Sequence, residues 1–259
     1  MKRLFQILLL TATFLWVSLP STYAQISDDF DSIENMIIYS HERFGQAIAH
    51  NLGLGMGYRM GKNINAFNTR VFSFELVTMR SPKQIKTINP YYSNSRRYVY
   101  GKMNDVIVAR AGFGYRKLLN GKPYWGGVEV RWIYEIGASL AIEKPYYLYV
   151  VKINQSSGGA YLYDIVTEQF DPDISWDDIY GRAPYSKGLN EITVVPGAFF
   201  RSGFSFEFGE IKTKVKAIEA GVMLDFFPAG VTVMAESSYQ PAFLTFYIGF
   251  SFGNRMNKY

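Results

Sequence analysis

The stretch LTFYIGFSF at residues 244–252 decides the fold class of this chain. Large apolar side chains occupy every second position, and threonine, tyrosine, glycine and serine stand between them. A period of two residues places alternate side chains on opposite faces of a β-strand. The stretch therefore predicts a strand with one apolar, aromatic face and one face of small and polar side chains.

The same alternation recurs along the chain and predicts an all-β fold. Single-chain bacterial barrels have an even number of strands, so the seven clearest segments require an eighth, at 43–50, joined to the next strand by a tight turn at Asn51. The alternative is a ten-stranded barrel in which residues 147–153 and 161–168 also span. The predicted strands are 43–50, 52–60, 66–80, 98–117, 126–142, 191–207, 213–227 and 242–253.

A closed antiparallel transmembrane β-barrel explains this pattern better than a soluble sandwich. Several predicted strands reach the 9–11 residues that a tilted membrane strand needs, whereas soluble strands average about 5–6. The composition agrees, because 17% of residues are aromatic and only 19% are charged. Predicted connectors on one side are short, and those on the other are long, at 81–97, 143–190 and 228–241. Outer-membrane barrels have short periplasmic turns and long external loops.

Three segments are expected: a cleaved signal peptide at 1–24, a periplasmic lead-in at 25–42 and the barrel at 43–259. Lys2 and Arg3 precede an apolar run that is too short to span a membrane as a helix, and Ala24 offers a small residue for cleavage. Cleavage would lower the formal net charge from +5 to +3, which gives no reason to expect nucleic-acid binding. The chain has no cysteine and two histidines, so thiolate chemistry is excluded, and no cofactor or metal is expected.

The polar face of the predicted strands carries charges of both signs. Since the apolar face must contact lipid, the alternation places these charged side chains inside the barrel. Balanced charges in a narrow lumen predict a structural network of ion pairs that fills it, and a diffusion pore needs about 16 strands. A catalytic role for the same carboxylates is the alternative. The predicted lumen residues are Arg59, Glu75, Arg110, Arg116, Glu129, Arg131, Glu135, Arg201, Glu207, Glu219 and Asp225.

The two longest external loops, 81–97 and 143–190, are the candidate binding segments. Basic residues in and beside the first would contact lipopolysaccharide phosphates or a protein partner; a solvated loop is the alternative. In the second, Asp171, Asp173 and Asp177 weakly resemble a calcium loop, but the central glycine and terminal glutamate are missing. The candidate contact residues are Arg80, Lys83, Lys86, Arg96, Arg97 and Lys102.

An enzyme is not expected. Some small outer-membrane barrels modify lipid, and His50 is better placed than His41 to serve such a reaction. Neither histidine is accompanied by a nucleophile motif of the type G-x-S-x-G.

Several short motifs carry a family resemblance. They are Gly57-Tyr58-Arg59, Ile88-Asn89-Pro90-Tyr91-Tyr92, residues 126–131 (GGVEVR) and Gly181-Arg182-Ala183-Pro184. Through them, the chain from about Tyr39 to Phe252 resembles a group of small, uncharacterised outer-membrane β-barrel proteins of Bacteroidota. The resemblance implies a barrel in the outer membrane of a Gram-negative bacterium and transfers no functional residue.

The sequence therefore predicts a non-enzymatic outer-membrane barrel with a plugged lumen and a structural or binding role carried by its external loops. An accessory subunit of a Bacteroidota secretion or assembly complex is the second hypothesis, and a lipid-A-modifying enzyme is the third. Under the leading hypothesis, Gly181-Arg182-Ala183-Pro184 would hold the long loop against the barrel mouth or a partner.

Overall fold

A computed structural model describes residues 39–122, 127–155, 161–208, 213–235 and 240–257. The predicted signal peptide and most of the predicted lead-in lie outside this part of the chain. The first strand begins at His41, two residues before the predicted start of the barrel.

Strands dominate the described residues, and eight of them are long. Two 3₁₀ turns, Trp176–Asp178 and Leu189–Glu191, interrupt the loops. None of the helical segments in the described ranges has the length and apolar character needed to cross a membrane. The strands are β1 His41–His50, β2 Gly53–Asn63, β3 Asn68–Met79, β4 Lys86–Thr87, β5 Tyr98–Val99, β6 Asn104–Asn120, β7 Glu129–Pro145, β8 Tyr147–Gln155, β9 Tyr161–Gln169, β10 Ile179–Arg182, β11 Thr193–Glu207, β12 Lys214–Val231 and β13 Gln240–Met256.

The eight long strands form a closed antiparallel barrel in the order β1-β2-β3-β6-β7-β11-β12-β13. Closure occurs between the first and last strands, with His41 opposite Met256 and His50 opposite Tyr247. The predicted eight-stranded barrel is thus confirmed. The ten-stranded alternative is wrong, because β8 pairs with β9 on one side and with β10 on the other, in a sheet separate from the barrel.

Connections differ in length between the two ends of the barrel. At the end where β1 begins and β13 ends, called the terminus end, the strands are joined by residues 64–67, 121–128 and 208–213. At the opposite end, called the loop end, lie the tight turn at 51–52 and the connections 80–103, 146–192 and 232–239. The two longest connections lie at the loop end, as the sequence predicts. The third predicted long connection, 228–241, is shortened to 232–239 because β12 continues to Val231, and it is no longer than the connection 121–128.

The barrel is polar inside and apolar outside, the reverse of a water-soluble protein. Large apolar side chains stand exposed on its outer surface, as at Leu54 (66% exposed), Met56 (70%) and Ile136 (64%). Arginine and glutamate side chains are buried in the lumen, and Arg59 and Arg201 are 0% exposed. A surface of this kind suits hydrocarbon and not water.

Polarity also changes along the lumen. The middle and the terminus end hold charged side chains, whereas the loop end holds a layer of packed apolar side chains. This apolar layer consists of Val77, Met79, Val99, Val106, Val108, Ala141, Val195, Phe227, Val231, Val233, Met234 and Phe243.

The described residues of the two longest connections at the loop end pack into one folded unit, here called the head, comprising residues 80–103, 146–155 and 161–192. Its centre is a second apolar cluster that contains Tyr98, Tyr146, Leu148, Phe170 and Ile179, together with Val150. The head therefore has a core of its own, which fixes the loops above the barrel mouth.

Candidate functional site

Arg201 lies at the centre of the lumen and joins two carboxylates. It forms a fork-to-fork ion pair with Glu75, in which Nη1 lies 2.5 Å from Oε1, and it donates to Glu135 Oε2 at 3.1 Å. Ser73 also donates to this oxygen of Glu135, at 3.2 Å. All three charged side chains are almost completely buried, so each depends on its partners for charge compensation.

Arg59 makes the second central pair. It donates to both oxygens of Glu219, at 2.5 and 3.1 Å, and its guanidinium also lies within 3.5 Å of Glu75 and Glu135. The Tyr247 hydroxyl donates to Glu219 Oε1 at 2.6 Å. Nearer the loop end, Arg110 binds both oxygens of Asp225 at 2.8 Å.

A second group of ion pairs fills the terminus end. Arg116 donates to Glu42 at 2.5 Å, and Arg255 donates to Glu207 at 2.5 Å. Arg131 pairs with Glu129 and donates to Thr69 Oγ1 at 3.1 Å. Arg255 also lies 3.6 Å from Glu42 and 3.8 Å from Glu129, so it links the pairs into a network.

All eleven predicted lumen residues take part in this network, and the structure adds Glu42 and Arg255. The described lumen thus contains six paired arginines and seven carboxylates. Both additions continue the alternation, but Glu42 precedes the predicted start of the first strand and Arg255 follows the predicted end of the last. Extending these two strands in phase would have found them.

The two histidines are too far apart to serve one site. His41 and His50 stand nine residues apart on β1, which separates them by about 30 Å. His50 Nδ1 accepts a hydrogen bond from the Leu52 amide at 3.3 Å, and His41 Nδ1 lies 2.9 Å from Ser40 Oγ. Within the described part of the chain, no hydroxyl side chain hydrogen-bonds to His50, so the geometry there does not assemble a Ser-His-acid arrangement.

The head is held together by Asn89, which is 0% exposed. Its Nδ2 donates to the carbonyl oxygens of Trp176, Asp177 and Ile179 at 3.3, 2.8 and 2.9 Å. Three aromatic pairs join the same two segments, with ring centroids 5.1–5.7 Å apart: Tyr91–Trp176, Tyr92–Tyr180 and Tyr100–Phe170. The two loops singled out from the sequence therefore form one folded unit and not two.

Gly181 allows the long loop to approach residues 80–103 closely. Its φ of 151° lies in a region that side chains disfavour, and a Cβ there would lie 2.6 Å from the carbonyl oxygen of Arg96. The next residue, Arg182, donates to Asp105 at 2.8 Å, and Asp105 lies at the beginning of barrel strand β6. The segment 181–184 thus contacts both the other loop and the barrel mouth.

Cations and tyrosine rings surround Asp105. Its carboxylate pairs with Lys102 and Arg182 and lies 3.8 Å from Lys144. Lys102 and Arg182 stand 5.1 and 5.0 Å from the centre of the Tyr146 ring, and burial raises the pKa of that tyrosine. One carboxylate shared by three cations leaves this side of the mouth positive.

A cavity of about 330 Å³ lies beside this cluster, between the head and the barrel mouth. Four of the six predicted contact residues line it: Arg80, Lys86, Arg97 and Lys102. Lys83 and Arg96 are not among its lining residues, and the Arg96 backbone packs against Gly181. The sequence analysis placed Arg182 at the barrel mouth, but it did not identify Tyr146 and Tyr185 as parts of this wall, because they come from the distant loop.

The calcium candidate is not supported. Asp171 Oδ1 accepts the backbone N–H of Asp173 at 3.0 Å, so it closes a local turn. Nowhere in the described ranges do three histidine, aspartate or glutamate side chains come together as metal ligands would.

Comparisons with known proteins complete the description. No protein-family model matches the chain, and no curated protein matches it. Among solved structures, Neisserial surface protein A (NspA) is similar at 8% identity and a TM-score of 0.40, over 83% of this chain and 96% of that one. Ail, the attachment invasion locus protein of Yersinia pestis, is similar at 9% identity and a TM-score of 0.35, over 83% of this chain and 95% of that one.

Proposed function

We propose that this chain is a non-enzymatic β-barrel of a bacterial outer membrane that binds ligands or partners through its head. The observation that carries the proposal is the reversed polarity of the barrel, with buried arginine–glutamate pairs inside and exposed large apolar side chains outside. Single exposed apolar residues are ordinary on soluble proteins, but large apolar side chains along the outer faces of seven of the eight barrel strands are not. Membership of the Bacteroidota group and the signal peptide at 1–24 belong to this proposal.

The membrane location is tested with two isoleucines that are both exposed. Ile248 lies at the middle of β13 on the outer surface (52% exposed), and Ile85 lies in the head (76% exposed). Arginine facing lipid at the middle of a membrane barrel costs about 2–4 kcal/mol, whereas arginine in a hydrated loop costs little. We expect Ile248→Arg to lower the free energy of unfolding in lipid vesicles by that amount and Ile85→Arg to leave it unchanged within about 0.5 kcal/mol.

The comparison distinguishes a lipid environment from a water environment, because both isoleucine side chains are more than half exposed in the isolated chain. Equal effects of the two substitutions would contradict the membrane proposal. Denaturant titration of vesicle-inserted protein, followed by tryptophan fluorescence, measures both variants.

The filled lumen is the second part of the proposal. Paired side chains occupy its middle and terminus end, and the apolar layer, including Phe227 and Phe243, occupies its loop end. We therefore expect the purified protein to give no steady conductance in planar bilayers. Stable, stepwise currents at a range of voltages would show that ions pass and would contradict the plug.

A partner-binding role in a larger outer-membrane complex is the second candidate, and the β8–β9 hairpin favours it. Ile153, Tyr163 and Ile165 are 51–72% exposed, and two of them, Ile153 and Tyr163, stand directly opposite each other in the register. Exposed apolar groups on a loop hairpin suit a protein contact. Affinity purification at native expression, in mild detergent, would give a stoichiometric partner if this candidate is correct, and the bait alone if it is not.

A further inference from the structure

We infer that the cavity between the head and the barrel mouth binds a phosphate group carried on a sugar or on a lipid headgroup. The inference rests on the proposed function, because it assigns a ligand to the head. It follows from the charge of the cavity wall, from its shape and from an unpaired donor.

The wall has an excess of cations. Arg80, Lys86 and Arg97 line the cavity and form no ion pair with the carboxylates that the structure describes. The other two cations in the wall, Lys102 and Arg182, share one carboxylate, that of Asp105. Five cations against one anion give the cavity a positive potential that attracts and concentrates anions.

The donor groups match phosphate better than a single carboxylate. Each guanidinium presents a planar fork of N–H donors that binds two oxygens at once, and lysine adds a point charge. Three arginines and two lysines offer more donors than the two oxygens of a carboxylate can accept. A phosphate monoester, with three terminal oxygens and up to two charges, uses more of them.

An unpaired donor in the wall also points to an acceptor. Gln84 lines the cavity, and its Nε2 is shielded from solvent without a hydrogen-bond partner in the described structure. A shielded N–H group with no acceptor costs about 1–3 kcal/mol, which a ligand oxygen would recover. Tyr98, Tyr146 and Tyr185 form the remaining wall and provide ring faces suited to a sugar.

The cavity is a binding site and not an entrance to the lumen. Met79, Val99 and Val106 belong both to its lining and to the apolar layer. Because this layer separates the cavity from the buried ion pairs, a bound anion stays at the mouth. A volume of about 330 Å³ lies at the small end of ligand pockets, enough for one headgroup.

The test uses the mature protein in phosphatidylcholine nanodiscs, with two matched double variants. Arg80→Gln/Arg97→Gln removes two charges from the cavity wall, and Arg43→Gln/Arg70→Gln removes two exposed charges near the terminus end. Calorimetry with glucose 1-phosphate, and with glucose as a neutral control, tests a soluble ligand. Native mass spectrometry of nanodiscs that contain lipid A, or dephosphorylated lipid A, tests a membrane ligand.

We expect the cavity variant to weaken phosphate binding at least tenfold, which is about 1.4 kcal/mol, and the terminus-end variant to change it less than twofold. Binding of glucose 1-phosphate but not lipid A identifies a soluble sugar phosphate, and the reverse identifies a lipid headgroup. Equal losses in both variants, or no phosphate-dependent binding in either arm, would overturn the inference. Neither result affects the comparison of Ile248→Arg with Ile85→Arg. A failure of the phosphate-binding inference can therefore be distinguished from a failure of the membrane proposal.

Discussion

Replacing Arg201 with methionine is expected to lower the free energy of unfolding by about 3–5 kcal/mol, the cost of removing one partner from a buried ion pair. Methionine fills a similar volume, so the loss is electrostatic. Glu75 would lose its fork-to-fork partner, and Glu135 would lose a donor at 3.1 Å. Both carboxylates are almost completely buried, so water cannot replace the guanidinium without entering the lumen.

An exposed ion pair in the head serves as the control. Lys152 pairs with Glu168, and their side chains are 48% and 32% exposed. Exposed pairs contribute about 0–1 kcal/mol, so Lys152→Met should shift the unfolding transition little. Denaturant titrations of vesicle-inserted protein measure both variants under identical conditions.

A double variant shows whether the destabilisation by Arg201→Met comes from the Glu75 carboxylate that loses its partner. After Arg201→Met, Glu75 would keep only longer contacts, to Arg59 at 3.5 Å and to Arg110 at 3.9 Å. Adding Glu75→Gln removes this weakly compensated charge, so the double variant should be less destabilising than the sum of the two single changes. Strict additivity would mean that the two side chains do not interact in the folded barrel. A cost below about 1 kcal/mol for Arg201→Met would mean that the lumen is open to water at this depth.

The strands, and the side of the barrel wall on which each side chain lies, could be predicted from the sequence because a strand has a fixed side-chain period of two. Phe246 and Ile248 face outward and Thr245 and Tyr247 face inward, as the alternation of residues 244–252 predicts. The ion pairs could not be read in the same way. Arg59 on β2 meets Glu219 on β12 across the lumen, and this contact depends on the stagger of the strands, which alternation does not specify.

The apolar layer was missed for a related reason. Phe227 and Phe243 face inward on β12 and β13. Closer to the terminus end, the inward positions of the same strands are polar, as at Asp225 and Thr245. A pattern analysis that labels one face polar for the whole strand averages over this change. If the inward positions of each strand had been assessed separately in its terminus-end half and in its loop-end half, the charged part of the lumen would have been distinguished from the apolar part.

The head was the least predictable part, because its contacts join residues that are about 90 positions apart in the chain. Asn89 illustrates the difficulty. In the sequence it is one polar residue before a proline in a basic loop, which suggests exposure. In the structure it is completely buried, and its amide holds the opposite loop.

Replacing Asn89 with alanine is therefore expected to destabilise the head by about 3–4 kcal/mol. Its two side-chain N–H groups, shared among three carbonyl oxygens, and its Oδ1, which accepts the Tyr91 N–H, make about three hydrogen bonds that contribute about 1–1.5 kcal/mol each. The carbonyl groups of Trp176, Asp177 and Ile179 would lose this donor inside the contact between the two loops. Asn94→Ala, an exposed change in the same loop, is the matched control and should have little effect.

Limited proteolysis of folded, vesicle-inserted protein measures this change, because cleavage reports how often the head opens. Asn89→Ala should speed cleavage within residues 80–103 and 146–192 and leave the barrel strands protected. If cleavage is unchanged, the barrel mouth alone holds the loops, through pairs such as Arg182 with Asp105. If the barrel itself unfolds, head and barrel form one cooperative unit. Selective opening of the head is the expected outcome, since its apolar cluster is separate from that of the lumen and Asn89 contacts only the head.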